Sequence, residues 1–73
     1  MSKWSITPGL LWVDTLGIVV AHLPGSDETA ELSAEGSEAF RWVANANTEA
    51  QAPAEFTLIL DHLRDCGLLV SAH

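Results

Sequence analysis

The stretch LLWVDTLGIVVAHL, residues 10–23, decides the fold because it holds two short apolar runs separated by a tight turn. Leu10–Asp14 is the first run, and Gly17–Leu23 is a second run rich in β-branched residues, which favour strands. Thr15, Leu16 and Gly17 make the connection between them. Two strands joined by so short a turn are predicted to pair as an antiparallel hairpin.

The segments on either side of the hairpin are more polar. Residues 1–9 are interpreted as a lead-in that ends at the turn signal Pro8-Gly9. Pro24-Gly25 closes the second strand, and the polar stretch SDETAELS follows at 26–33. Within it Thr29–Leu32 alternates as a strand does, which predicts a short third strand at the border of the sheet.

The first helix is predicted to begin near Ser33, whose hydroxyl can cap the free amides of a first turn. Gly36, Phe40, Val43 and Asn47 then recur at helical spacing and form an apolar stripe. The helix is expected to end within residues 45–47. Residues 48–52 are compatible with a loop or with one irregular turn, and the pattern does not decide between them.

A second long helix is predicted from Pro53, which suits a first helical position because its missing N–H is not needed there. Gly67 is expected to end this helix, and residues 68–70 to fold back onto the core. The core stripe of the helix is Phe56, Ile59, Leu60 and Leu63. Three strands followed by helices predict an α+β fold, a three-stranded antiparallel sheet with helices on one face, in a single domain over 1–73.

In so small a chain, the stability of the fold depends strongly on the burial of its few large side chains. A 73-residue domain buries only about 60% of the surface that its unfolded chain exposes. The aromatic residues are therefore the expected core anchors: Trp4, Trp12, Phe40, Trp42 and Phe56.

The net charge excludes one class of partner. Ten acidic residues against three basic ones give a formal charge of −7. Lys3, Arg41 and Arg64 are scattered along the chain, so they cannot form the basic stripe that neutralises phosphates in a duplex. Anionic membrane surfaces are disfavoured for the same reason. We expect neither a nucleic-acid nor a membrane partner.

The location of the protein is indicated by its cysteine count and its N-terminal residues. Cys66 is the single cysteine, so no internal disulfide can form and a reducing compartment is the simpler interpretation. Residues 1–13 lack the long apolar core of a signal peptide or a membrane span. A cytoplasmic protein is expected.

Catalytic and metal-binding patterns are weak. Asp61 and His62 are adjacent on the second helix and point to different faces, so neither can orient the other for catalysis. His62 and Cys66, four residues apart, can reach one metal ion from one helix face, but a structural zinc site needs four ligands. The favoured interpretation is a half-buried histidine beside a small core thiol. We predict no enzyme, no metal and no cofactor.

Two segments resemble a known family. In LSAEGSEAFRWV, Leu32, Gly36, Phe40 and Val43 match its pattern of a leucine, a glycine and then an aromatic residue among aliphatic ones on a helix. FTLILDHLRDCGLLV resembles its closing leucine-rich helix followed by Gly-Leu-Leu. With the hairpin, the resemblance to PqqD-like proteins covers nearly the whole chain. The segment NTEAQAPAE between the helices is shorter than in the family, which usually has a full short helix there.

The resemblance implies both a fold and a role. PqqD-like proteins are the peptide-recognition elements of ribosomally made, modified peptides (RiPPs), including the small leader-binding proteins of lasso-peptide pathways. The implied fold is a three-stranded antiparallel sheet packed on a winged helix-turn-helix-like helical bundle. The implied role is to bind the leader of a precursor peptide as a fourth strand, facing the last long helix, and to present it to a separate biosynthetic enzyme.

The residues expected to bind the peptide lie on two segments. Residues 28–33 offer the edge strand, where short length and acidic side chains discourage indiscriminate pairing. On the last helix Leu58 lies off the core stripe, with His62 one turn later, which predicts a groove beside that edge. The candidate peptide-binding residues are Glu28, Thr29, Ala30, Glu31, Leu32, Ser33, Glu55, Leu58, Ile59, His62 and Cys66.

A second role from another class stays open at this stage. The same bundle suits a small helix-turn-helix-like regulatory or structural subunit that binds no leader. The absence of basic residues along most of the last helix argues against DNA as its ligand.

Overall fold

A computed structural model describes residues 3–45 and 52–72. The predicted α+β class is confirmed, and the predicted three-stranded antiparallel sheet is present beside two packed helices. The elements are β1 (Lys3–Ile6), β2 (Leu11–Thr15), β3 (Ile18–His22), β4 (Thr29–Glu31), α1 (Ala34–Asn45), α2 (Thr57–Asp65) and β5 (Leu69–Ala72), with a 3-10 turn at Ala54–Phe56 before α2. The order of β2, β3 and β4 in the three-stranded sheet follows the sequence, and β1 pairs with β5 in a separate two-stranded sheet.

The hairpin of β2 and β3 is closed by a two-residue turn. Thr15 pairs with Ile18, so Leu16 and Gly17 are the only residues between the strands. Their φ angles are 54° and 83°. Positive φ at both central residues matches the right-handed twist of the strands, as in a type I′ turn. Glycine adopts this conformation freely, whereas leucine does so against the clash of its Cβ with the backbone.

The three-stranded sheet turns one face to the helices and the other to solvent. Val19 and Ala21 of β3 point to the helices and are buried, while their neighbours on the strand are half-buried. On the outer face Leu11 and Val13 are 69% and 58% exposed. An antiparallel sheet commonly carries polar residues on its solvent face, so this outer face is unusually apolar.

The core lies where the sheet meets both helices. Phe40 of α1 is fully buried, and the ring of Trp12 packs edge-on against it at 4.9 Å between centroids. Of the five aromatic residues expected as core anchors, Phe40 alone is fully buried, and the others are half-buried against the core. Their size explains this, because large aromatic rings rarely lose all contact with solvent in a small domain. The buried apolar residues are Leu10, Val19, Ala21, Ala39, Phe40, Val43, Leu60, Leu63, Leu68 and Leu69.

A buried serine joins the sheet to α1. The Val19 amide donates to the Ser37 Oγ at 2.8 Å, and the same oxygen lies 3.5 Å from the Leu32 carbonyl oxygen. Leu32 in turn donates its amide to the Val19 carbonyl at 2.9 Å. In an uninterrupted ladder the Val19 amide would bond directly to Leu32. The Ser37 hydroxyl therefore takes its place and ends the pairing of β3 with β4.

The chain ends form a sheet that the sequence did not indicate. The interpretation of residues 1–9 as a lead-in is wrong, because β1 pairs antiparallel with β5, from Lys3 with Ala72 to Ile6 with Leu69. Of residues 68–70, which were expected to fold back onto the core, Leu68 and Leu69 do so at 1% exposure each, whereas Val70 points outward and is 40% exposed. The two segments lie far apart in the sequence and no local pattern links one to the other, which is why the second sheet was missed.

The helix boundaries confirm some predictions and correct another. The Gly36 amide donates to the Ser33 Oγ at 3.0 Å, so Ser33 caps α1 as predicted. Pro53 does not start the second helix: a 3-10 turn follows it, and α2 begins four residues later at Thr57. The predicted end of α1 within 45–47, the position of Asn47 on its stripe and the choice of structure for 48–52 lie largely outside the described residues.

Gly67 ends α2 as predicted. Its φ is +88°, and the amides of Gly67 and Leu68 donate to the carbonyls of Arg64 and Leu63, both at 3.0 Å. These two bonds are the Schellman arrangement, which satisfies the last carbonyls of a helix and reverses the chain. Neither helix of the described residues has the length and apolar run that crossing a bilayer requires.

Replacing Ser37 by alanine is expected to destabilise the protein by about 1–3 kcal/mol, because the buried Val19 amide loses its acceptor. Urea unfolding followed by tryptophan fluorescence measures the change. The control is Ser5→Ala on an exposed strand position, which should change the free energy of unfolding by less than about 0.5 kcal/mol. Equal effects of the two substitutions would contradict the bridging role of Ser37.

Replacing Leu16 by asparagine is expected to stabilise the protein by about 1 kcal/mol, because asparagine tolerates the left-handed conformation that leucine resists. Leu16→Ala separates this cause from the removal of an apolar side chain that is 99% exposed. Alanine keeps the Cβ clash, so it should bring no comparable gain. A gain with alanine as large as that with asparagine would refute the backbone explanation.

Candidate peptide-binding groove

Strand β4 forms one border of the three-stranded sheet. It pairs with β3 on one side, and among residues 3–45 and 52–72 no strand pairs with its other side. Because the Leu32 amide bonds inward to β3, the alternation of an antiparallel ladder turns Ala30 inward as well. The N–H and C=O groups of Thr29 and Glu31 therefore point away from the sheet.

The side chains of β4 alternate in the same way. Ala30 lies opposite the buried Ala21 and faces the helices, where it is half-buried. Thr29 and Glu31 point to the outer face and are exposed. Any strand added at this border would meet free backbone groups at Thr29 and Glu31.

A groove runs beside this border on its helix side. It has a volume of about 400 Å³ and separates the end of β4 and the start of α1 from α2. Gly36 lies among the lining residues, and a Cβ there would come within 3.3 Å of the Ser33 Oγ that caps α1. The groove is lined by Glu31, Leu32, Ser33, Glu35, Gly36, Leu58, Ile59, His62 and Leu63.

The α2 wall of the groove is apolar. Leu63 is buried, Ile59 is half-buried, and Leu58 is 82% exposed. Leu58 is thus a large apolar side chain on the rim with little protein around it. An apolar side chain that entered the groove would cover the exposed surface of Leu58 and remove it from water.

The opposite wall carries negative charge. Glu35 lies on this wall, and Glu31 lies at its border with its side chain on the outer face; both are exposed, and neither pairs with Arg41 or Arg64. The two arginines are engaged elsewhere: Arg41 with Asp14 at 3.4 Å, and Arg64 with Asp61 at 3.4 Å. The groove therefore combines an apolar wall with an acidic one.

Six of the eleven predicted site residues line the groove: Glu31, Leu32, Ser33, Leu58, Ile59 and His62. Thr29 and Ala30 belong to β4 itself. The remaining three are not among the lining residues. Glu28 precedes the strand and donates its amide to the Ser26 Oγ, Glu55 lies exposed in the 3-10 turn, and Cys66 follows the end of α2.

Three lining residues were absent from the predicted site: Glu35, Gly36 and Leu63. Gly36 was assigned to the apolar stripe of the first helix, and Leu63 to the core stripe of the second helix. A signal was available for the first two, because they directly follow the edge strand in the sequence. For Leu63 there was none, since a residue that is both core and groove floor has the pattern of a core residue.

The expected environment of His62 and Cys66 is wrong. Both side chains are exposed rather than half-buried and core, and the His62 Nε2 lies 3.8 Å from the Cys66 Sγ. They share the solvent face of α2 with Leu58, at intervals of four residues, while Leu60 and Leu63 take the buried face. In the part of the chain that the structure describes, no three histidine, cysteine or acidic side chains come together to hold a metal ion.

Comparison of the chain with protein-family models, with curated proteins and with solved structures finds no match in any of the three.

Truncating Leu58 to alanine is expected to change the free energy of unfolding by less than about 0.5 kcal/mol, because the side chain is 82% exposed. Leu60→Ala on the same helix is the matched control. Leu60 is fully buried, so its truncation should cost about 2–5 kcal/mol. Chemical denaturation of both variants tests whether Leu58 belongs to the groove or to the core; a loss above about 1.5 kcal/mol for Leu58→Ala would place it in the core.

Proposed function

We propose that the protein binds the leader segment of a ribosomally synthesised precursor peptide by strand addition at β4 and presents it to a separate modifying enzyme. The observation that carries the proposal is the juxtaposition of an open strand border with an apolar groove that includes an exposed leucine. Peptide recognition by added strands uses both elements, since main-chain bonds give affinity and side-chain pockets give specificity. The resemblance to PqqD-like peptide-recognition elements supports the same role.

The free energies of binding indicate that the peptide needs both the open strand border and the groove. Thr29 and Glu31 offer about four outward backbone groups, and each bond contributes roughly 0.5–1.5 kcal/mol net. Association costs at least about 4 kcal/mol, in addition to the ordering of the peptide. Two apolar peptide side chains buried in the groove would add about 1.5–3 kcal/mol each. Without the groove the edge alone would bind too weakly to select a peptide.

Presentation to an enzyme requires only that this chain bind the leader, and it needs no catalytic group here. A leader held at β4 leaves the rest of the precursor attached and free to reach a second protein. If that protein contacts the present chain, the encounter of enzyme and precursor becomes effectively intramolecular, which raises the local concentration of substrate. Candidate partners are therefore the precursor leader and one biosynthetic enzyme, with no nucleic acid and no membrane surface.

The charge distribution supports this role over a DNA-binding subunit. The described arginines are each held by carboxylates, and the acidic wall of the groove faces solvent. A duplex would meet negative charge at this surface, which opposes binding to phosphates.

A mobility shift with bulk DNA at low salt should therefore show no complex.

Titration of a ¹⁵N-labelled sample with the cognate leader tests the role directly. Amide shifts are expected in residues 28–33 and 55–66, which flank the groove. Shifts confined to other residues would refute the groove as the binding site. The absence of binding would refute the role itself.

Replacing Glu31 by proline should weaken leader binding about two- to tenfold, because it removes an outward amide that the peptide needs. The fold should persist, since that amide makes no bond to β3. Ala30→Pro is the matched control: its amide faces β3, so this variant should lose stability. Circular dichroism and fluorescence anisotropy with labelled leader give the two readouts. Undiminished affinity of a folded Glu31→Pro protein would count against strand addition.

A further inference from the structure

We infer that the groove selects peptides in which a lysine or arginine stands between two apolar residues, with the basic side chain beside Glu31 and the apolar ones in the groove. This inference rests on the proposed function and goes beyond it by naming the sequence pattern of the ligand. It follows from the register of β4 together with the two unlike walls of the groove.

The register fixes which peptide residues point to which face. Residues side by side on neighbouring strands direct their side chains to the same face, and successive residues alternate. Glu31 points to the outer face, as its exposure and its place opposite Val20 show. The peptide residue beside Glu31 must therefore point outward too. This holds whether the peptide runs parallel or antiparallel to β4.

The next peptide residues on either side point the other way, to the helices. There they meet Leu32, which follows β4. They also meet the apolar wall of α2, formed by Leu58, Ile59 and Leu63. Apolar side chains are favoured at these positions because they bury the exposed part of Leu58 and leave no polar group without a partner. The ligand is thus expected to have one residue that points outward, with an apolar residue that points to the groove on each side of it.

Glu31 determines which charge is favoured on the peptide residue that points outward beside it. Side-by-side residues on a sheet have Cβ atoms about 5 Å apart, so opposite charges attract and like charges repel. Neither Glu31 nor Glu35 on the groove wall pairs with Arg41 or Arg64, which are held by other carboxylates. The net charge of −7 extends the same preference over a longer distance. A basic residue is therefore favoured at the outward position.

Three terminally blocked pentapeptides test the pattern: Ser-Leu-Lys-Leu-Thr, Ser-Leu-Glu-Leu-Thr and Ser-Lys-Leu-Leu-Thr. The first fits the pattern, the second reverses the central charge, and the third keeps the composition of the first but breaks the alternation. Millimolar titration into ¹⁵N-labelled protein at low salt gives dissociation constants and the residues affected. The first peptide is expected to bind about three- to tenfold more tightly than the second, and more tightly than the third.

Two charge-reversal variants identify the group responsible. Glu31→Lys should invert the preference, so that the peptide with a central glutamate binds more tightly than the one with lysine. Glu38→Lys makes the same change in net charge at an exposed position of α1 outside the groove, and should preserve the original order. Equal effects of the two variants would show that net charge alone acts and would overturn the pairing with Glu31.

The outcomes separate this inference from the proposed function. Equal affinity for the lysine and glutamate peptides, with shifts at residues 28–33 and 55–66, overturns the inferred pattern and leaves the groove as a peptide site. Equal affinity for the first and third peptides overturns the alternation. The absence of shifts with all three peptides contradicts the open border itself, on which both proposals rest.

Discussion

The hydrogen bond from the Val19 amide to the Ser37 hydroxyl is the contact on which the shape of the candidate site depends. By taking the place of a ladder bond, Ser37 stops β4 after three residues and binds the start of α1 to the middle strand. The chain must then leave the sheet at Leu32, and Ser33 caps the helix that follows at once. A longer β4 would take up the residues that now begin α1, among which Glu35 and Gly36 line the groove. The short border and the groove therefore have a common cause.

The second wall of the groove depends on the opposite end of the chain. Gly67 reverses the chain after α2, and Leu68 and Leu69 enter the core directly behind the turn. The pairing of β5 with β1 then fixes this end, because Ile6 lies opposite Leu69. Since Leu60 and Leu63 anchor the inner face of α2, its outer face with Leu58 and His62 is held beside β4. The position of the groove is thus set by core residues, most of which lie outside it.

The parts of the fold that local chemistry dictates could be predicted from the sequence. Periodicity predicts the hairpin, β4 and both helices, while Ser33 and Gly67 mark helix ends by their capping chemistry. Pairing of β1 with β5 was not predictable, because two four-residue segments at opposite ends of the chain contain no signal for each other. Leu58 was identified because it breaks the core stripe of its helix. Leu63 was missed because it does not break that stripe, and the burial of Cys66 was wrong because a small thiol gives no periodic signal of its own.

In the proposed binding mode, the acidic side chains near β4 have two effects: they protect the open border and they select the strand that pairs with it. An open strand edge is a hazard because any extended chain can pair with it, and short length with charge is the usual defence. Glu31 lies on the outer face next to the free backbone groups, so repulsion acts on any acidic strand that approaches, including β4 of a second copy. A strand that brings a basic residue to the same position meets attraction instead of repulsion. In the proposed binding mode, the charge that opposes self-pairing is therefore also the charge that distinguishes one foreign chain from another.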